Sequence, residues 1–123
     1  MKFLLIFFGG GLGALGRYVV SGVVHTFSPP SFPYGTFVVN CTGSLLIGVL
    51  VTALDTRFSA VPSLRFFLII GLLGGFTTFS SFSYETMTLL REGSTTAALI
   101  NVGASVITCL SATWVGMTIG KAL

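Results

Sequence analysis

The chain has 123 residues, 53% of them hydrophobic and only 7% charged, with a formal net charge of +3 and a mean hydropathy of +0.99. A soluble domain carries about 25% charged residues, so this composition excludes a water-facing globule and predicts an integral membrane protein whose surroundings are the lipid bilayer. Six Lys/Arg against three Asp/Glu, with no basic run, exclude nucleic acid as a partner.

About 20 apolar residues of helix cross the hydrocarbon core, and four windows qualify. The first runs from about 3 to 24. Its opening, MKFLLIFF, has the form of a signal peptide, but the apolar stretch continues past the small residues near Ala14 and through YVVSGVV, which predicts a crossing instead. Arg17 lies about seven residues, roughly 10 Å, from its end. It either snorkels to the interface or lines a water-filled vestibule and attracts anions there. HTFSPPSFP then reads as a loop. The second window, about 34 to 54, carries Asn40 well below the interface. Its amide can donate two hydrogen bonds and accept others, across to another helix or to an ion. DTRFSAVPS follows as the next connection.

The third window, about 64 to 90, holds GLLGGFTTFSSF at residues 71–82. Gly74 and Gly75 weaken a helix by backbone entropy and adopt positive φ readily. With Thr77, Thr78, Ser80 and Ser81 behind them, they predict a break near 74–78. Backbone polar groups freed at membrane depth must face protein or a cavity. Freed carbonyls suit a hard cation, and the N-terminus of the resuming helix favours an anion. Phe79 and Phe82 are three apart and share a helix face, and an aromatic ring edge can meet an anion without a full charge. Glu85 falls late in this span, near the interface, where a solvated or Arg-paired carboxylate is expected.

REGS at 91–94 is a short turn. The fourth window runs from about 95 to 120. Asn101, Ser105 and Cys109 recur at four-residue spacing, with Thr108 and Thr113 near that face. Such a stripe is either a wet track or an interhelical hydrogen-bond ladder. Cys41 and Cys109 both fall in apolar segments and read as small buried residues, not a disulfide framework. One His and no CxxC leave no transition-metal site. The windows lack sustained alternation, so strands are excluded and the fold class is all-α. Gly9 with Gly13, Gly71 with Gly75, and Ala112, Gly116 and Gly120 have the four-residue spacing that lets helix backbones approach, and the last stripe reads as packing. Four short helices are few to enclose a pathway, so a homo-oligomer is expected. Lys2, Arg57, Arg65 and Lys121 oppose Arg17 and Arg91 across the membrane, a bias too small to fix orientation.

GGGLGALGRY (9–18), YGTFVVNCTGS (34–44) and GLLGGFTTFSSFSYE (71–85) together resemble the Fluc/CrcB family of fluoride channels, over nearly the whole chain. The resemblance implies an antiparallel, dual-topology homodimer of four-helix subunits in the cell inner membrane. It implies two pores and a broken third helix from each subunit crossing at the centre. There a structural sodium ion is held by backbone carbonyls, which fall on Gly74 and Thr77 here. Asn40, Phe79 and Phe82 match the fluoride pore, with Ser80 and Ser81 beside them. Arg17 matches the family's arginine in the first helix. The polar track maps to Asn101, Ser105 and Cys109, with Thr113 beyond. The family carries Tyr where Asn101 stands and Ser where Cys109 stands, and a thiol is the weaker donor.

The implied activity is passive export of cytoplasmic fluoride down its electrochemical gradient. Weak donors in series replace the ion's water without trapping it. No nucleotide site, nucleophile–base pair or acid pair is present in the sequence, so no enzyme is expected. The rival readings are a proton-coupled exporter of the small multidrug type, which needs a deep carboxylate and has only Glu85 to offer, and a structural membrane subunit.

Overall fold

The computed structural model describes all of residues 1–123. It is entirely helical, with four helical spans long and apolar enough to cross a membrane: Lys2–Phe27, Tyr34–Thr56, Pro62–Arg91 and Thr95–Ala122. The composition dictates this result. In lipid every backbone N–H and C=O must be satisfied within its own segment, and long apolar helices do so.

The two tightest seams follow the glycines. In the first, Gly9 and Gly13 face the backbone of the third span. A Cβ at Gly9 would sit 3.0 Å from Leu72 N and 3.1 Å from Gly71 Cα, and one at Gly13 would come within 2.8 Å of Phe76 N. In the second, a Cβ at Gly48 would lie 2.9 Å from Met117 N, and one at Gly116 would lie 3.0 Å from Val49 N. Both seams run in parallel register, pairing lower numbers with lower numbers. That is the arrangement of first with third, and second with fourth, in a chain that crosses back and forth. Side chains at these positions would strike backbone, which cannot yield as a side-chain tip does.

The third span is not uniform. It begins with an α-turn at Pro62–Leu64, widens to a π-helix over Arg65–Leu73, and returns to an α-turn at Gly74–Phe76. The Gly74 amide bonds both Ile69 O and Gly71 O, which marks the return from the wide turn to a tighter one. π-helical turns are frequent at functional sites. Thr77 and Thr78 then leave helical geometry, with φ −79°, ψ 156° and φ −152°, ψ 119° respectively. An α-helix, Phe79–Arg91, follows.

Positive φ at Gly74 and Gly75 is the device the sequence offers for a departure within 74–78. Both glycines instead keep negative φ, Gly74 lying in the helical region at φ −61°, ψ −37°, and the extended residues come two to three positions later. Gly75 serves packing, since a Cβ there would lie 3.0 Å from Gly10 Cα.

The turn after Arg91 does use glycine's freedom. Gly93, at φ 79°, has the chain's only positive φ. Its amide bonds Leu90 O at 3.1 Å, and the Ser94 amide bonds Leu89 O at 2.9 Å. This pair of reversed bonds satisfies the last carbonyls of the helix and lets the chain turn within REGS. Asp55 and Arg65 form an ion pair across the preceding connection.

Candidate functional site

The departure at Thr77–Thr78 is held from the second span. Thr78 N–H donates to Asn40 Oδ1 at 2.8 Å, and Asn40 Nδ2 donates to Thr78 O at 2.9 Å. One amide thus pairs with both the N–H and the C=O of a single residue, replacing the helical bonds that residue has given up. Gly43, nearly one turn on from Asn40, leaves space for the Thr77 side chain, whose methyl occupies the place of a Cβ. Thr78 also caps the helix that follows. Its Oγ1 accepts from Ser81 N–H at 3.1 Å and lies 3.2 Å from the hydroxyl oxygens of both Ser80 and Ser81.

Beside this clamp lies a cavity of about 430 Å³. Asn40, Gly74, Thr77, Phe79, Phe82, Ser105 and Cys109 line it, so it gathers most of the residues singled out in the sequence. The Phe79 and Phe82 rings are 5.4 Å apart at an interplanar angle of 46°. Phe79 is 77% exposed and Gly74 is also exposed, so this wall is uncovered in the single chain; Ser80 is exposed but does not line the cavity. Ser81 is half-buried and tied to the cap.

Arg17 is turned inward: its Nη1 donates to Thr77 O at 3.5 Å, the outer limit for such a bond. No carboxylate pairs with it. The guanidinium therefore faces the carbonyl end of the third span's first half, where the helix dipole is negative.

The stripe on the fourth span divides. Asn101 is 2% exposed and donates to Thr86 Oγ1 at 2.9 Å. Ser105 donates to Asn101 Oδ1 at 3.4 Å, and Thr86 donates to Phe82 O at 2.7 Å. This end is a hydrogen-bond ladder between the third and fourth spans. Ser105 and Cys109 are the members that reach the cavity. Thr113 donates to Ser44 O at 3.0 Å and so binds the second span, while Thr108 is exposed on another face.

Sequence reasoning missed three features. Thr36 donates to Glu85 Oε1 at 2.8 Å, while Glu85 Oε2 is buried without a partner. Glu85 and His25 line a second cavity of about 250 Å³, at the end of the first span. Thr36, Asn40 and Ser44 are spaced by four on the second span, a stripe that would have flagged Thr36. The third feature is the approach of Cys41 Sγ to Cys109 Sγ, at 3.8 Å.

The carbonyls of Gly74 and Thr77, which the resemblance implies as cation ligands, lie at the departure from helix. The Thr78 amide, which would ordinarily bond the Gly74 carbonyl, is engaged by Asn40. The Thr77 carbonyl meets only the long contact to Arg17 among side chains. Neutral carbonyl oxygens of this kind fit an alkali cation and offer nothing to a soft metal.

The family model described as CrcB-like protein, Camphor Resistance (CrcB), matches residues 4–117. A protein of Hydrogenovibrio crunogenus named fluoride-specific ion channel FluC is 44% identical, over 98% of this chain and 92% of its own length. Proteins of the same name from Geobacter sp. strain M21 and Coxiella burnetii are 50% and 46% identical, covering 93% and 100% of this chain and 92% and 100% of their own lengths. With its four apolar spans and a match over nearly its full length, the chain belongs to the CrcB family of membrane channel proteins.

Proposed function

We propose that this chain is the subunit of a passive, fluoride-specific channel that lets cytoplasmic fluoride leave across the cell inner membrane. The observation that carries this reading is the Asn40–Thr78 clamp beside a cavity walled by Phe79, Phe82 and Ser105, in a chain whose relatives bear that name. The chain belongs to a channel family and is not an enzyme.

The chemistry is that of weak donors. Fluoride is small and strongly hydrated, so a permeation path must replace water without a fixed charge that would hold the ion. Asn40 retains one amide hydrogen beyond the one given to Thr78. Ser105 offers a hydroxyl, and Phe79 and Phe82 offer ring edges. Arg17 raises the local anion concentration from beside the break. Its carbonyl contact keeps its charge partly occupied, so it attracts the anion without sequestering it.

The working unit in this proposal is an antiparallel homodimer, with the third span acting as an interrupted helix. Support comes from the uncovered wall formed by Gly74 and Phe79, which a second copy would close. A structural sodium ion at the dimer centre would be held by the carbonyls of Gly74 and Thr77 from both subunits, joining them without a charged side chain. Replacing sodium with a large organic cation is then expected to dissociate the dimer and abolish efflux. Size-exclusion elution against sodium concentration checks this, and full activity after exhaustive sodium removal would overturn it.

The deciding experiment is fluoride efflux from liposomes holding the purified protein alone, read with a fluoride electrode. Transport by the chain alone removes the structural-subunit reading, and transport without a proton gradient removes the coupled exporter. Glu85, the exporter's one candidate, sits beside His25 in the last turn of the first span and is bonded to Thr36. In the same assay Phe82→Ile keeps an apolar side chain but loses the ring edge, and efflux is expected to fall about tenfold or more. Wild-type efflux from a folded Phe82→Ile protein would remove this ring from the path.

A further inference from the structure

The channel proposed above gives no role to the pair formed by Cys109, on the cavity wall, and Cys41 behind it. Cys41 on the second span and Cys109 on the fourth are free and half-buried, with their sulfurs 3.8 Å apart. They are 68 residues apart in sequence, so the fold brings them together. Their separation is set by a rigid seam. About one turn further along, Thr113 donates to Ser44 O at 3.0 Å and fixes the register. Beyond that, the backbones at Gly48 and Gly116 approach so closely that a Cβ on either would strike the other helix. A disulfide needs about 2.0 Å between sulfurs, so closure requires the pair, 3.8 Å apart, to approach by roughly 1.8 Å. Cys109 lines the cavity together with Asn40 and Ser105, so a small uncharged oxidant entering there reaches a thiol directly.

We propose that Cys41 and Cys109 are a modification site, at which a peroxide closes a reversible disulfide that ties the second span to the fourth and restricts the cavity. One thiol sulfur attacks hydrogen peroxide, the O–O bond breaks, and a sulfenic acid and one water form. The second sulfur then attacks the sulfenic sulfur, the S–S bond forms, and the hydroxyl leaves as a second water with the remaining thiol proton. The two sulfurs together lose two electrons, and the peroxide gains them. A dithiol reductant restores both thiols by exchange. The crosslink removes the Cys109 S–H from the cavity wall and draws its side chain toward the second span, immediately beside Asn40. The effect on transport rests on the fluoride-channel reading, whereas formation of the crosslink does not.

The test treats purified protein, in detergent and in liposomes, with hydrogen peroxide. The intact mass is expected to fall by two hydrogens, both cysteines are expected to resist maleimide labelling after denaturation, and dithiothreitol is expected to reverse both changes. Cys41→Ala and Cys109→Ala should each show no loss of hydrogens. Fluoride efflux of the wild type is expected to fall on the order of fivefold on oxidation and to recover on reduction, while Cys41→Ala is insensitive. Thiols that still label after peroxide, oxygen additions in place of hydrogen loss, or a crosslink found only between two chains would overturn the proposal. A complete intrachain crosslink with unchanged efflux would overturn the restriction of the cavity. If the reduced wild type carries no fluoride at all, the channel reading fails, and the mass measurement still decides the disulfide.

Discussion

Asn40→Asp is expected to abolish fluoride efflux while leaving a folded protein. The wild-type amide donates to Thr78 O and accepts from Thr78 N–H. An aspartate keeps the acceptor and loses the donor, so two oxygens confront each other across the 2.9 Å contact. The Thr78 carbonyl is left without its partner at membrane depth, a loss of about 1–3 kcal/mol. That lowers the melting temperature without unfolding four spans packed along glycine seams. The larger effect falls on the ion. A carboxylate on the cavity wall repels an anion about 4 Å away by about 4 kcal/mol at an effective dielectric constant of 20, which at 1.4 kcal/mol per decade is a loss of at least ~100-fold in flux. The measurement pairs efflux in liposomes with elution and melting in detergent. A variant that elutes and melts as a folded protein, yet conducts like the wild type, would show that Asn40 faces no anion.

The Asn40 pairing also explains what the sequence could and could not reveal. The four spans were legible because apolar length alone requires them. The close-packing role of Gly116 and Gly120 was legible from their spacing, and the seam at Gly48 and Gly116 follows it. What makes the chain depart from helix within 74–78 was not. Local reasoning credits the freedom of Gly74 and Gly75, where backbone entropy is greatest, yet glycines can remain helical when a neighbouring helix packs against them. The chain leaves the helix at Thr77–Thr78, where a side chain 38 residues away supplies substitute bonds. No window of sequence contains that contact. The same holds for Cys41 with Cys109 and for Thr36 with Glu85, which are matched only once the helices pack. Asn101, Ser105 and Cys109 share a spacing but not a role, because the spans facing them differ along the membrane.

Gly13→Ala is expected to prevent the first and third spans from docking. A methyl at Gly13 would strike the Leu72 carbonyl oxygen and come within 2.8 Å of Phe76 N, and both belong to backbone. Overpacking that side chains can absorb costs about 1–3 kcal/mol. Here the whole span must move, so the cost is expected at or above the upper end of that range. The consequence reaches the site, because Phe76 immediately precedes Thr77 and Thr78. Displacing it shifts the Thr77 carbonyl that Arg17 contacts and the Thr78 peptide that Asn40 holds. Gly11, two residues away on the same helix, has nothing within 4 Å of its Cβ position. Alanine there gains about 0.5–1 kcal/mol of helix propensity and meets no neighbour within the chain. The two variants therefore separate backbone contact from mere loss of glycine. Gly13→Ala should yield little folded protein by size-exclusion and a much lower melting temperature, whereas Gly11→Ala should match or exceed the wild type. Equal tolerance at both positions would mean that the first and third spans are held by something other than the contact of their backbones.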